Sequence, residues 1–144
     1  MFFINVEAAV FKEDKWLLIR RSTKEAHAGG ELSLVGGTVE REGDSTAILE
    51  RTLRRELFEE VGVEVKDPIQ YVRNTSFVLE NGKEVVDIVF LCEFEKGEPY
   101  AKSPDEVESV HWMTTNEIIN NVEIQHYLKD SILAADAIKA RGEF

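Results

Sequence analysis

"RRELFEEVG", residues 54–62, decides how the rest of the chain is read. It packs Glu56, Glu59 and Glu60 with Arg54 and Arg55 around Leu57, Phe58 and Val61. Leu49, Leu53, Leu57 and Val61 recur at every fourth position, which is helix period. The spacing predicts a helix from Ser45 to Val61. Asp44 or Ser45 can cap its start, and Gly62 supplies the stop, where a left-handed backbone is often needed. On that helix Glu56 and Glu60 lie about 40° apart beside the leucine stripe, while Glu59 falls about 60° to the other side. A carboxylate buried without a partner is costly, and like charges four residues apart repel. Three arrangements would relieve the conflict. Arginines could pair with the glutamates, which suits Arg55 and Glu59 but not Glu56 or Glu60. The edge of the stripe could be open to water. Or a divalent cation could sit there, since clusters of oxygen donors suit magnesium, manganese or calcium. No D-x-D-x-D-G loop is present, which argues against a calcium sensor.

Outward from the helix the pattern changes to short extended runs. "FFINVEAAVF" (2–11) and "WLLIRR" (16–21) read as strands joined by the polar turn "KEDK", a hairpin. Residues 22–34 are loop-like, and "LVGGTVEREGD" (34–44) is a glycine-rich, constrained loop. Residues 68–97 read as two strands meeting at Asn81-Gly82, a favoured hairpin turn. "VHWMT" (110–114) is a short strand. Thr114 to Glu117 resembles a capping box, and residues near 123–140 form a last helix with Tyr127, Ile132, Leu133 and Ile138 as packing candidates. One α+β domain over residues 1–144, built on a mixed sheet, accounts for all of this.

The bulk numbers narrow the function classes. Net charge is −11 over 144 residues. Such a surface disfavours nucleic acid and anionic membranes as partners, and an anionic small molecule would need local cations. Arg20 and Arg21 end a strand just before the loop. Alternation sends them to opposite faces, so one could meet substrate and the other solvent. The single Cys92 precludes an internal disulfide and fits a reducing, cytoplasmic setting. The apolar start of the chain contains Glu7 and lacks a basic segment, so it reads as a strand rather than a signal peptide. No apolar run approaches the roughly 20 residues of a membrane span.

"GGTVEREGD…RRELFEEVGV" resembles the Nudix box, the signature of Nudix hydrolases. Arg55, Glu56, Leu57, Glu59, Glu60, Gly62 and Val63 match every fixed position of its second half. Gly36, Gly37 and Glu40 fit the GGxxE opening. The first half departs from the pattern by insertions around Gly43-Asp44 and before Arg55. "LLIRRS" and Trp112 with "MTTNEI" resemble the family's flanking elements, so the likeness spans most of the chain.

The resemblance implies an α/β/α sandwich around a mixed sheet. It also implies hydrolysis of a pyrophosphate bond in a nucleoside diphosphate linked to another group, with Mg2+ as cofactor and Mn2+ as a substitute. By the same likeness Glu56 and Glu60 are principal metal ligands, Glu59 an additional ligand or the base, and the Gly36 carbonyl a further ligand. Arg55 would orient Glu59, Glu40 would tie the loop to the helix, and Gly37 would allow close approach of phosphate. Glu106, six residues before Trp112, stands where a late-loop general base is expected; the bland alternative is a solvated acidic loop. The expected substrate is a nucleoside triphosphate or related small nucleotide, handled by a monomer or homodimer. The alternatives are an ADP-ribose or nucleotide-sugar pyrophosphatase, and a nucleotide-binding module without catalysis. His27 and His126 could touch substrate, although lone histidines are more often structural. Tyr71, Phe77 and Phe90 could stack a base, although strand aromatics usually pack in cores.

Overall fold

A computed structural model describes residues 1–142. The elements run β1 (Phe2–Lys12), β2 (Lys15–Arg21), β3 (Leu32–Ser33), β4 (Val35–Thr38), α1 (Ile48–Val61), β5 (Glu64–Val65), β6 (Gln70–Val78), β7 (Glu84–Lys96), β8 (Val107–Thr114), α2 (Thr115–Asn120) and α3 (His126–Ala140). The sheet is mixed: β1 runs parallel to β7 and antiparallel to β2 and β4, while β6 pairs with β7 and β8 with β2.

Strand alternation sends side chains into two cores. Val6, Ala8, Val10, Leu17 and Ile19 pack with Leu53, Leu57 and Val61 of α1. Ala9, Phe11, Trp16, Leu18, Val89 and Leu91 pack with Ile118 of α2 and with Leu128 and Ile132 of α3. The central strands are therefore apolar on both faces, as a sheet covered on both sides requires. The sandwich implied by the box resemblance is the fold observed.

Several local expectations hold. Thr114 and Glu117 form a reciprocal capping box at α2. Gly62 ends α1 at φ 70°, its N–H reaching the Leu57 and Phe58 carbonyls. The β6–β7 hairpin turns at Asn81-Gly82, with Gly82 at φ 84°. The start of α1 differs from expectation. The helix begins at Ile48, and Ala47 before it adopts φ 55° with no side-chain cap. That left-handed residue turns the chain away and removes Asp44 and Ser45 from capping reach. Leu133, expected to pack, lies half exposed on α3.

One feature of the topology positions the site. β1 meets β2 only at Phe11–Trp16 and Lys12–Lys15. Upstream, from Asn5 to Ala8, the same edge of β1 is taken by β4. The sheet thus splays into a V between β2 and the β1–β4 pair, and a cavity opens there.

Candidate active site and metal centre

The cavity measures about 650 Å³, within the usual range for a small-molecule site. Its acidic wall is built by α1 and by the loop before β8. Glu56, Glu60 and Glu106 each bring a carboxylate oxygen to within 4.8 Å of the others. Helical spacing places Glu56 and Glu60 one turn apart on the sheet-facing side, and Glu60 is only 6% exposed. The leucine stripe forces this arrangement: once Leu53, Leu57 and Val61 are buried, Glu60 is carried in with them.

The electrostatics are strained. Burial, and then the neighbouring Glu56 and Glu106, push Glu60 up to about 9; Arg21 opposes the shift. Glu106 is also raised, by burial and by the charges of Glu56, Glu25 and Glu59. Glu60 Oε2 is buried and has no hydrogen-bond partner among the described residues. A buried acceptor without a donor is unfavourable. Three converging carboxylates and one orphan oxygen fit a hard divalent cation, whose ligands are oxygens.

The two loop glycines do different work. A Cβ on Gly37 would lie 2.5 Å from Cδ of Glu56. Only glycine lets that carboxylate lie across β4. A Cβ on Gly36 would lie 2.1 Å from the Val6 carbonyl oxygen, so this glycine is required by the packing of β4 on β1. Both line the cavity.

The remaining expected residues separate clearly. Arg21 lines the cavity; its Nε donates to the His27 carbonyl at 3.2 Å, and it lies 3.9 Å from Glu25. Arg20 instead donates to the Gly30 carbonyl and does not line the cavity. Among the lining residues Arg21 is the only Arg or Lys. Glu59 points outward, more than half exposed, 4.0 Å from Arg55 Nε, and lies outside the carboxylate trio. Arg55 also stands 3.4 Å from Glu56, so it bridges the inner and outer carboxylates. Glu40 lies at the cavity; the tie from loop to helix is made by Glu42 and Arg51.

A second polar group in the cavity escaped the sequence reading. Asn5 and Glu7 of β1, Asp87 of β7 and Tyr127 of α3 converge on it. Asn5 Nδ2 donates to Asp87 Oδ1 at 2.5 Å, and the Tyr127 hydroxyl lies 2.7 Å from Glu7 Oε1 and against Asp87 Oδ2. Burial and the nearby Asp87 hold Glu7 well above the usual carboxylate range. Burial and the two carboxyls raise Tyr127 as well. The available signal was polar residues interrupting apolar strands, "INVEAAV" and "VVDIVF". His27 and Phe77 also line the cavity, with rings stacked at 6.4 Å. Phe90 is core and Tyr71 is exposed.

The NUDIX domain family model matches residues 1–134. The chain belongs to the NUDIX domain family. Nudix hydrolases act on pyrophosphate bonds of nucleoside diphosphate derivatives and depend on divalent metals. This protein is accordingly a Nudix-type nucleotide pyrophosphohydrolase. Solved structures with the same fold include a MutT NUDIX hydrolase from Burkholderia pseudomallei. It is 24% identical with a TM-score of 0.78, covering 93% of this chain and 98% of that one. A MutT protein from Methanosarcina mazei Go1 is 23% identical with a TM-score of 0.80, covering 96% and 95%. The NUDIX domain of Shewanella oneidensis NrtR, complexed with ADP ribose, is 18% identical with a TM-score of 0.71, covering 98% and 88%. No curated protein matches the chain in sequence. Among the described residues no helix is long and apolar enough to cross a membrane.

Proposed function

We propose that this Nudix enzyme is an Mg2+-dependent hydrolase of small nucleotides, nucleoside triphosphates foremost. The observation that carries the reading is the trio Glu56, Glu60 and Glu106 with its orphan oxygen, set in a cavity of about 650 Å³. Glu56 and Glu60 would hold the ion from α1, and Glu106 from the facing loop. A bound divalent ion supplies charge neutralisation for the phosphates and a more acidic water. Glu106, the exposed member of the trio, would serve as the base toward an attacking water. Glu59 stands beside Arg55 as a further carboxylate for the same task or for a second ion. Arg21 offers the cavity's guanidinium to a phosphate, a pairing that suits its planar donors. Gly37 makes room on β4 for the Glu56 carboxylate rather than for phosphate.

The test is release of phosphate or pyrophosphate from nucleoside triphosphates, ADP-ribose and dinucleotide polyphosphates, with Mg2+, Mn2+ or EDTA. Turnover that needs metal, and that vanishes in Glu60→Gln, supports the reading. ADP-ribose as the best substrate would move the assignment to the nucleotide-sugar class. Metal-dependent nucleotide binding without turnover would make the chain a binding module.

A further inference from the structure

The Asn5, Glu7, Asp87 and Tyr127 group lies outside the carboxylate trio and joins β1, β7 and α3 by side-chain hydrogen bonds. Register places Asn5 beside Asp87 and Glu7 beside Val89. Alternation then puts Asn5, Glu7 and Asp87 on one face, the face that continues as Ala9, Val89 and Leu91 of the core under α3. The apolar face turns acidic where it reaches the cavity. Two carboxyls brought together at a partly buried place disfavour each other's ionisation, so they are not there to stabilise the fold as an ion pair would. They face the cavity, where a bound molecule would meet them.

Counting donors and acceptors identifies its chemistry. The Tyr127 hydroxyl carries one proton, yet it faces both Glu7 Oε1 and Asp87 Oδ2. The Asn5 amide serves Asp87 Oδ1. Across the sheet from Asp87, Thr75 Oγ1 is buried without a partner among the described residues. The proton that burial and Asp87 keep on Glu7 is taken up by its hydrogen bond to Asp87, so the remaining carboxyl lone pairs still outnumber the protons that Tyr127 and Asn5 supply. Apolar side chains that also line the cavity are Ile19, Leu32, Leu34 and Leu128, with Phe77 stacked against His27.

We propose that Glu7 and Asp87 form the base-selecting end of the cavity, and that they favour a nucleobase presenting an exocyclic amino group. A carbonyl turned toward these oxygens would be repelled, whereas an N–H donor completes them. This rests on the nucleotide reading above and specifies its substrate class.

The experiment uses pairs of substrates differing at one group: GTP against ITP, which lacks the amino group, and CTP against UTP, which has a carbonyl in its place. The expected result is that kcat/KM favours the amino-bearing member of each pair at least about tenfold, chiefly through KM. Asp87→Asn and Glu7→Gln, shown folded by circular dichroism, should bring the ratios toward one. Ratios within about twofold for the wild type would overturn the proposal, whether or not the variants fold. Binding of CMP, UMP, GMP and IMP is measured in parallel by calorimetry in EDTA. If no triphosphate is hydrolysed but CMP and GMP bind more tightly than UMP and IMP, the proposed function fails and the base-selecting role stands. Hydrolysis with no amino preference gives the reverse.

Discussion

Replacing Glu60 with glutamine isolates the strain in the carboxylate trio. In the metal-free protein, burial and the charges of Glu56 and Glu106 push Glu60 up to about 9, whereas an unfolded glutamate titrates near 4.3. Between those values the folded state holds a proton that the unfolded state has released. Stability from this group is therefore full below the unfolded value and is lost as pH rises toward about 9, by about 1.4 kcal/mol per pH unit. By about pH 8 the accumulated loss reaches about 5 kcal/mol, drawn from the coupled titration of the trio. Glutamine has no such titration. Urea unfolding in EDTA, at a series of pH values, should show Glu60→Gln gaining on the wild type steadily from about pH 5 to pH 9. Metal should reverse the comparison. At about 100 times its dissociation constant, Mg2+ adds about 2.7 kcal/mol to a protein that binds it only when folded, and the variant should gain far less. Parallel pH curves, or equal stabilisation of both proteins by Mg2+, would refute the reasoning.

Other substitutions probe single contacts. Gly37→Ala places a methyl 2.5 Å from the Glu56 carboxyl carbon. The side chain can swing aside, so stability should fall by less than about 1 kcal/mol while Mg2+ affinity, read by calorimetry, drops at least about tenfold. Gly97→Ala meets the Gly62 carbonyl oxygen at 2.3 Å at φ 111°; since that neighbour is backbone and cannot swing aside, it should lose about 2 kcal/mol or more in urea unfolding. Arg21→Lys keeps the charge and loses the planar fork, so KM for a triphosphate should rise about tenfold with a smaller change in kcat. Cys92 is buried, and burial pushes its thiol up to about 12; it should resist thiol reagents in the native protein and react after urea unfolding.

What was legible in the sequence was what one element specifies alone. Helical angles separated Glu56 and Glu60 from Glu59, and the folded helix buries Glu60 while Glu59 faces water. The Thr114 capping box is local chemistry and forms as read; the hairpin does turn where Asn81-Gly82 stands, but through a loop over residues 79–83 in which the Gly82 N–H donates to the Leu79 carbonyl. The box resemblance supplied the fold and drew attention to Glu106. The choice between Arg20 and Arg21 required the path of the loop: the Gly30 carbonyl claims Arg20 and leaves Arg21 to the cavity. The base-selecting group was hidden because its members are far apart in the chain. Tyr127 reaches Glu7 across 120 positions, and Asn5 reaches Asp87 across 82. Each alone looks like an ordinary strand or helix residue, and it takes the parallel β1–β7 pairing and the docking of α3 to bring them together.

The central claim is that Glu56, Glu60 and Glu106 hold a divalent ion. Its most direct test is a Mn2+ titration followed by electron paramagnetic resonance, on the wild type and on the glutamine variant of each residue. The account predicts saturable binding by the wild type, weakened at least about tenfold by each of the three substitutions. Binding of equal strength in all four proteins would contradict it.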